Sequence, residues 1–281
     1  MTVIQVGLVD KTGKLDPDLV QSAAAALNIQ VTRDLPQFWP AVHATVIYLP
    51  NHKKTPSGVW PVQLVASLPP GEGGYHLDKH NQPYAKVLVT GSDGWTVAAS
   101  HEILEMLVDP FGNRLQASRS IEIVNGKIQD GPSEFAYLVE ACDPCEADQY
   151  GYSIQGIAVS DFLTPRFYDP LPTPGTRYSF TGALKAPRQI LPGGYISWIN
   201  QETDEWQQLQ YLDAKPKIVD LGPAKGKSLR EWIHTQNHDV KGLRGPEQVS
   251  AKPQNKALFD ACSVRREALS AIATRRAKLA R

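Results

Sequence analysis

The chain of 281 residues has few cysteines and no apolar run long enough to cross a membrane. A membrane-spanning helix needs about 20 largely apolar residues, and Asp10 interrupts the N-terminal segment before a secretory signal could form. Three cysteines, of which Cys142 and Cys145 are three residues apart, cannot build a disulfide framework. These absences predict a cytoplasmic protein with no membrane partner. Non-classical export or association with a particle is the alternative.

An excess of charge of one sign is also lacking, since Lys+Arg and Asp+Glu number 29 each. The balance disfavours a chain-wide role in binding nucleic acid or a membrane surface. The charge is unevenly distributed along the chain, because residues 241–281 contain ten basic and three acidic residues. The tail therefore carries a net charge of +7 and the preceding residues carry −7. With 42% hydrophobic and 21% charged residues, the composition is that of a globular protein.

The order of the hydrophobic patterns predicts an α+β fold. Asp16 and Pro17 begin a helix that ends near Asn28, and TVAASHEILEMLV predicts a second helix that ends before Pro110. Strands are predicted over residues 3–9, 29–35, 44–49, 60–68 and 84–90. Asn125-Gly126 is typical of the turn of a β-hairpin.

The second helix carries a pattern typical of a metal site, His101-Glu102-Ile103-Leu104-Glu105. Residues four apart lie on the same face of a helix, so His101 and Glu105 can bind one ion. Glu102 is rotated from His101 by about 100°, where its carboxylate can polarise a water molecule held on that ion. The pattern is that of the HExxH zinc-peptidase helix with Glu in place of the second His. A solvated helix face with an incidental His is the alternative.

A second segment, residues 140–148, concentrates four carboxylates and two thiols. Crowded carboxylates repel one another unless solvent or a cation screens them. The candidates for a third metal ligand are Glu140, Asp143, Glu146 and His76, with Glu140 first because it directly follows the apolar segment FAYLV. His76 and His80 could instead line the cleft and assist an oxyanion. An acidic surface turn and a structural calcium site are the alternatives.

These segments together resemble a family of bacterial and phage-associated zincin-like proteins that carry a HExxE helix and a downstream Glu-x-Cys-Asp block. The resemblance covers about residues 60–200 and depends on GGYHLDKHNQPYAKVLVT, WTVAASHEILEMLVDPFGN, YLVEACDPCEADQY and GIAVSDFLTPRFYDP. A strand, a helix, four extended segments and a metal helix are also the layout of the upper half of zincin peptidases. The resemblance implies a metallopeptidase-type fold with His101 and Glu105 as ligands and Glu102 as general base. Val108 and Phe111 stand where a metzincin has Gly and its third ligand, so that subclass is excluded.

The residues predict a metal-dependent hydrolase, specifically a zinc peptidase acting on a peptide or protein. Glu102 is expected to accept a proton from water and pass it to the leaving amine. An exposed strand over residues 61–68 is expected to hold the substrate by adding it to the sheet edge. Calcium and manganese are the alternative ions, because carboxylates are harder ligands than imidazole. The alternative function is a catalytically weak or inactive structural or interaction protein, such as a component or cargo of a phage-like particle.

The chain is divided into four predicted parts: a zincin-like metal-binding domain over 1–170, a β-rich extension over 171–214, a polar linker over 215–254 and a basic amphipathic helix over 255–281. Apolar residues of this last helix recur at heptad-like intervals: Leu258, Cys262, Leu269, Ile272 and Leu279. We expect the helix to dock on the body through this stripe. A helix that binds a partner protein or a second copy is the alternative. Nucleic acid is disfavoured, since the helix has no interleaved aromatic residues.

Overall fold

The computed structural model describes residues 2–50, 55–69, 72–89, 94–223 and 256–279, and the fold of this part is α+β. The strands are Ile4–Asp10 (β1), Ala44–Tyr48 (β2), Val59–Val65 (β3), Gly74–Lys79 (β4), Gln82–Leu88 (β5), Leu115–Val124 (β6), Lys127–Leu138 (β7), Tyr152–Ile154 (β8), Ile157–Val159 (β9), Tyr195–Asn200 (β10), Glu205–Gln210 (β11) and Lys217–Gly222 (β12). The α-helices are Pro17–Ile29 (α1), Trp95–Val108 (α2) and Lys256–Leu279 (α3). No helix in these described ranges is both long and apolar enough to span a membrane.

The first sheet has the order β2-β1-β3-β5-β4. Its first four strands are parallel, and β4 runs antiparallel to β5 at one edge. The strand predicted to hold substrate, residues 61–68, falls on β3, which pairs with β1 on one side and β5 on the other. That prediction is wrong, because β3 has no free edge. Within the described residues, β2 and β4 are the edge strands.

Helix α2 contacts β4, β5 and β9, and every one of its residues is buried. The small residues Ala98 and Ala99 lie at its first turns and allow this close packing. The predicted alternative of a solvated face with an incidental His is therefore wrong. Polar side chains of a fully buried helix need polar partners, because burying them without partners costs free energy. The partners of His101, Glu102 and Glu105 consequently define the site described below.

The second sheet is antiparallel and has the order β12-β11-β10-β7-β6. The predicted turn at Asn125-Gly126 is confirmed, with positive φ angles of 52° and 74° between β6 and β7. Because β7 pairs with β10, the sheet crosses the predicted boundary at residue 170. Strand β12 occupies the start of the predicted linker, whose residues 224–254 lie outside the described ranges.

Residues 29–35, predicted as a strand, form helical turns instead. Helix α1 ends at Ile29, and a π-helical turn over Gln30–Asp34 and a 3-10 turn over Leu35–Gln37 continue it. The physical reason is a helical stripe, because Leu27, Val31 and Leu35 are four residues apart and each is almost fully buried in the main core. Polar Gln30 and Thr32 alternate with apolar Ile29 and Val31, and such alternation is also typical of a strand.

Helix α3 docks on the body through the first part of its predicted apolar stripe, whereas Ile272 of the same stripe is 50% exposed. Cys262 packs against Val97 of α2 and Ala158 of β9, with Leu258 partly buried beside them. Val264 on another face of the helix is 67% exposed. The side chain of Leu279, at the end of the predicted stripe, lies outside the described residues. Binding of a partner or a second copy through α3 stays a prediction.

Candidate metal centre

Carboxylate and imidazole side chains from three segments meet at one place: the middle of α2, strand β4 and the turn that follows β7. Each of these side chains belongs to a residue that is 4% exposed or less: His76, His101, Glu102, Glu105, Glu140, Asp143 and Glu146. The predicted alternative of an acidic surface turn is wrong, since Glu140, Asp143 and Glu146 are buried. The site is therefore an acidic cluster inside the protein.

The imidazole of His101 lies between two carboxylates. Its Nε2 is 3.0 Å from Glu105 Oε2 and 3.2 Å from Asp143 Oδ1. Nε2 thus forms an ion pair with both carboxylates when the ring is protonated, whereas Nδ1 has no hydrogen-bond partner within the described residues. Buried polar atoms are rarely left without partners in proteins. Ligand atoms on a tetrahedral zinc ion lie about 3.4 Å apart for bonds of about 2.1 Å, so the spacing fits three donors to one ion.

A backbone hydrogen bond fixes Glu105 relative to the turn after β7. The N–H of Cys142 donates to Glu105 Oε1 at 2.9 Å, while Oε2 of the same carboxylate is the atom nearest His101. Asp143 begins a 3-10 turn, Asp143–Cys145, that follows Cys142 directly. The hydrogen bond thereby places Asp143 beside the helix, and the two carboxylates approach the imidazole from different elements.

The same turn is held from its other side by the segment that leads into β10. Leu191 N–H donates to the carbonyl of Pro144 at 2.9 Å. A Cβ atom at Gly194 would lie 2.6 Å from that carbonyl oxygen. Glycine is therefore required for β10 to pack this closely against the turn that carries Asp143.

All three acids predicted as third ligand lie in groups whose ligand atoms are within 4.8 Å of one another. The four groups are His101 with Glu105 and Cys142, His76 with Glu102 and Glu105, His101 with Asp143 and Glu146, and Glu105 with Glu140 and Asp143. Asp143 belongs to two of them and approaches His101 most directly. Glu140, the first choice from the sequence, reaches Glu105 and Asp143 in its group but not His101.

Glu102 faces strand β4. Its Oε2 is 2.8 Å from His76 Nδ1, and the same nitrogen is 3.7 Å from Glu105 Oε2. His80 lies elsewhere, because it forms the exposed tip of the β4–β5 hairpin with Asn81, at φ angles of 54° and 60°. Four residues of strand separate it from His76 by about 13 Å. The prediction that His80 lines the cleft is wrong, whereas His76 does belong to the site.

The local charges perturb the acid–base behaviour of the cluster. Burial lowers the pKa of His101, but the charge of Glu105, hydrogen bonding to the carboxylates of Asp143 and Glu105, and the charge of Glu102 outweigh it and hold that pKa well above its ordinary value. Burial and the charge of Glu105 raise the pKa of Asp143 to about 7. The site is thus a region of negative potential in a low-dielectric interior, where a cation is strongly favoured.

Two tyrosines near the acids, Tyr168 and Tyr195, were not predicted from the sequence to belong to the site. Burial, followed by the charge of Asp143, raises the pKa of Tyr195 well above its ordinary range. Burial and the charge of Glu140 do the same for Tyr168. A hydrogen bond between Tyr195 and Asp143 opposes the rise in the pKa of Asp143. No spacing in the sequence relates Tyr195 to the helix motif, because strand pairing brings β10 to the site.

Comparison of the chain with models of protein families, with curated proteins and with solved structures gave no match. The geometry of the buried cluster therefore carries the functional interpretation. The cluster brings together every residue predicted as a ligand or base, and it adds Cys142 to them.

Proposed function

We propose that the chain is a metal-dependent hydrolase, a zinc peptidase of zincin-like fold, in which His101, Glu105 and Asp143 hold the ion and Glu102 is the general base. The observation that carries the proposal is the buried imidazole of His101, whose Nε2 lies 3.0 Å from Glu105 Oε2 and 3.2 Å from Asp143 Oδ1. The order β1-α1-β2-β3-β4-β5-α2 also has four strands between two helices, although β4 takes the place of the predicted segment 29–35, which is helical.

The donor set favours zinc over the alternative ions calcium and manganese. One imidazole and two carboxylates are ligands that zinc accepts, and three protein donors leave a position open for water or substrate. Imidazole is a ligand that zinc accepts readily, whereas calcium takes oxygen ligands. A divalent ion bound here supplies polarisation of a carbonyl group and a lowered pKa for a bound water molecule.

Glu102 has the position that a general base needs. It adjoins the ligand His101 in sequence, and one of its carboxylate oxygens lies within 4.8 Å of a Glu105 oxygen. The carboxylate accepts a proton from the attacking water and later donates it to the leaving nitrogen. Its complete burial keeps bulk water from competing for that proton.

The free edge of β4 supports a peptide substrate. Leu88 N–H donates to the carbonyl of Gly73 at 2.8 Å, so the hydrogen-bonded pairs of the β4–β5 ladder start at residue 73 and recur at every second residue. Gly74, Tyr75 and His76 are buried, so the exposed part of this edge is its Leu77–Lys79 end. The backbone groups of Asp78 point away from β5 there, and an extended peptide can add to this end as a further strand.

The substitution Glu102→Gln tests the hydrolase against the structural alternative. We expect it to retain the metal content of the wild type, measured by elemental analysis, and to lose turnover of fluorescein-labelled casein by about 100-fold or more. Glu134→Gln, at an exposed residue of β7, is the matched control and should leave both quantities unchanged. A wild-type protein that binds zinc but shows no turnover would support the structural or interaction role. A wild-type protein that binds no divalent ion would overturn the metal site.

A further inference from the structure

Strand β10 brings one hydroxyl group, that of Tyr195, into the acidic cluster. Tyr195 is 1% exposed, and burial raises its pKa well above the ordinary value. The charges of four carboxylates raise it further, in the order Asp143, Glu146, Glu105 and Glu140. The hydroxyl group therefore keeps its proton at neutral pH and can donate it in a hydrogen bond.

The backbone next to Tyr195 packs directly on the turn that carries Asp143. A Cβ atom at Gly194 would lie 2.7 Å from the carbonyl oxygen of Asp143. The side chains of Tyr195 and Asp143 share a hydrogen bond, which limits the rise in the pKa of Asp143 that burial and Glu105 cause. A carboxylate must be deprotonated to bind an ion. In the ion-bound state Asp143 is thus the acceptor, and the hydroxyl of Tyr195 is the donor.

Polar side chains on β10 and β11 support the face of the sheet from which Tyr195 reaches Asp143. Gln210 pairs with Tyr195 and Gln208 pairs with Ser197, and all four residues are 2% exposed or less. Residues directly opposite on paired strands lie on the same face of the sheet. Gln210 Nε2 donates to Gln208 Oε1 at 2.5 Å, and Gln208 Nε2 donates to Ser197 Oγ at 3.1 Å. Buried hydrogen bonds of this kind make the face that carries Tyr195 rigid.

We infer that Tyr195 is a positioning residue, which orients the carboxylate of Asp143 toward His101 and the ion. The inference rests on the proposed function, because it needs Asp143 to be a metal ligand. Hydrogen-bond partners of ligating carboxylates fix the orientation of the ligand, and their removal lowers metal affinity about 10- to 100-fold. Tyr195 therefore acts on the ion through Asp143 and is not itself a ligand.

The test is the zinc affinity of Tyr195→Phe, measured by competition with a chromophoric chelator. Phenylalanine keeps the aromatic ring and removes only the hydroxyl group, so the Kd for zinc should rise about 10- to 100-fold. Tyr178→Phe is the matched control. Tyr178 is also buried, but its hydroxyl is hydrogen-bonded to the backbone of Thr173. Its substitution should leave the zinc affinity unchanged.

Two further measurements separate positioning from a general effect on folding. In the Asp143→Ala background, Tyr195→Phe should cause no further loss of zinc affinity, because the carboxylate that the hydroxyl orients is absent. NMR of the zinc-loaded wild-type protein should find a hydroxyl proton on Tyr195 that exchanges slowly with water. This second measurement needs no variant, so it stands even where a substitution prevents folding.

Four results would overturn the inference: an unchanged zinc affinity in Tyr195→Phe, an equal loss in Tyr178→Phe, an undiminished effect of Tyr195→Phe in the Asp143→Ala background, or a rapidly exchanging hydroxyl proton. Failure of the proposed function has a different signature. A wild-type protein that binds zinc without turnover of labelled casein would overturn the hydrolase, while the zinc affinities would still decide the role of Tyr195. A wild-type protein that binds no divalent ion would overturn both.

Discussion

The backbone N–H of Cys142 donates a hydrogen bond to Glu105 Oε1 at 2.9 Å, and this contact joins the site helix to the turn that carries Asp143. It links residues 37 positions apart in sequence. The helix motif alone provides two donors on one face. The third proposed donor depends on a tertiary contact, so the proposed ligand set depends on how the segment after β7 folds back on α2.

Asp143→Asn should weaken zinc binding more than Glu140→Gln does. Asp143 Oδ1 lies 3.2 Å from His101 Nε2, and an amide in its place removes a charge from the ligand set. We expect a loss of affinity beyond the 10- to 100-fold that removal of an outer partner causes, thus more than about 100-fold. Competition with a chromophoric chelator measures it. A larger loss in Glu140→Gln would contradict the assignment and make Glu140 the third ligand.

Removal of the ion should destabilise the protein. A ligand that binds the folded state alone stabilises it by about 4 kcal/mol at a concentration 1,000 times its Kd. Without the ion, the buried carboxylates around His101 also repel one another. We expect Tm, measured by calorimetry, to fall on treatment with a chelator and to recover with zinc. Equal recovery with calcium would contradict the choice of zinc and support the calcium alternative.

Gly74→Ala should lower kcat while zinc stays bound. Its Cβ atom would lie 2.8 Å from Glu102 Oε1, closer than atoms in van der Waals contact, and Lys86 O would be 3.3 Å away. The carboxylate of Glu102 must then rotate or β4 must shift. We expect a decrease of about 10-fold or more in casein hydrolysis, since a misplacement of about 1 Å costs up to 10²-fold. Unchanged turnover with unchanged zinc content would contradict the close packing of β4 on the base.

Local patterns were sufficient for the motif helix and for four of the five predicted strands, but not for residues 29–35, for β4 or for the strand order. The helix carrying His101 and Glu105 could be predicted because its periodicity and its ligand spacing are contained within one element. The segment from Glu140 to Glu146 could be associated with it because carboxylates so crowded need a counter-charge. Both arguments use charge and spacing along a short stretch of chain.

The prediction that residues 61–68 form an exposed strand for substrate was wrong because the position of a strand in a sheet is not contained in its own sequence. Pro61 has no N–H to donate, and proline is found mainly in edge strands. The sheet nevertheless places Pro61 opposite Gly7 in an interior pair. Strand order depends on which hydrophobic surfaces meet across the sheet, and no local pattern contains that information. Tyr195 could not be predicted for the same reason, because only the packing of β10 brings it to the site.

Substitutions on two faces of α3 should separate docking from partner binding. Cys262 is buried against Val97 and Ala158, so Cys262→Asp places an unpaired charge in an apolar contact. We expect this variant to lose about 3 kcal/mol of the free energy of unfolding, or to release the helix from the body. Val264→Asp lies on an exposed face and should leave the stability of the monomer unchanged. Urea denaturation measures both effects. If Val264→Asp instead dissociates an oligomer in size-exclusion chromatography with light scattering, the exposed face of α3 binds a second copy, as the heptad-like spacing allows.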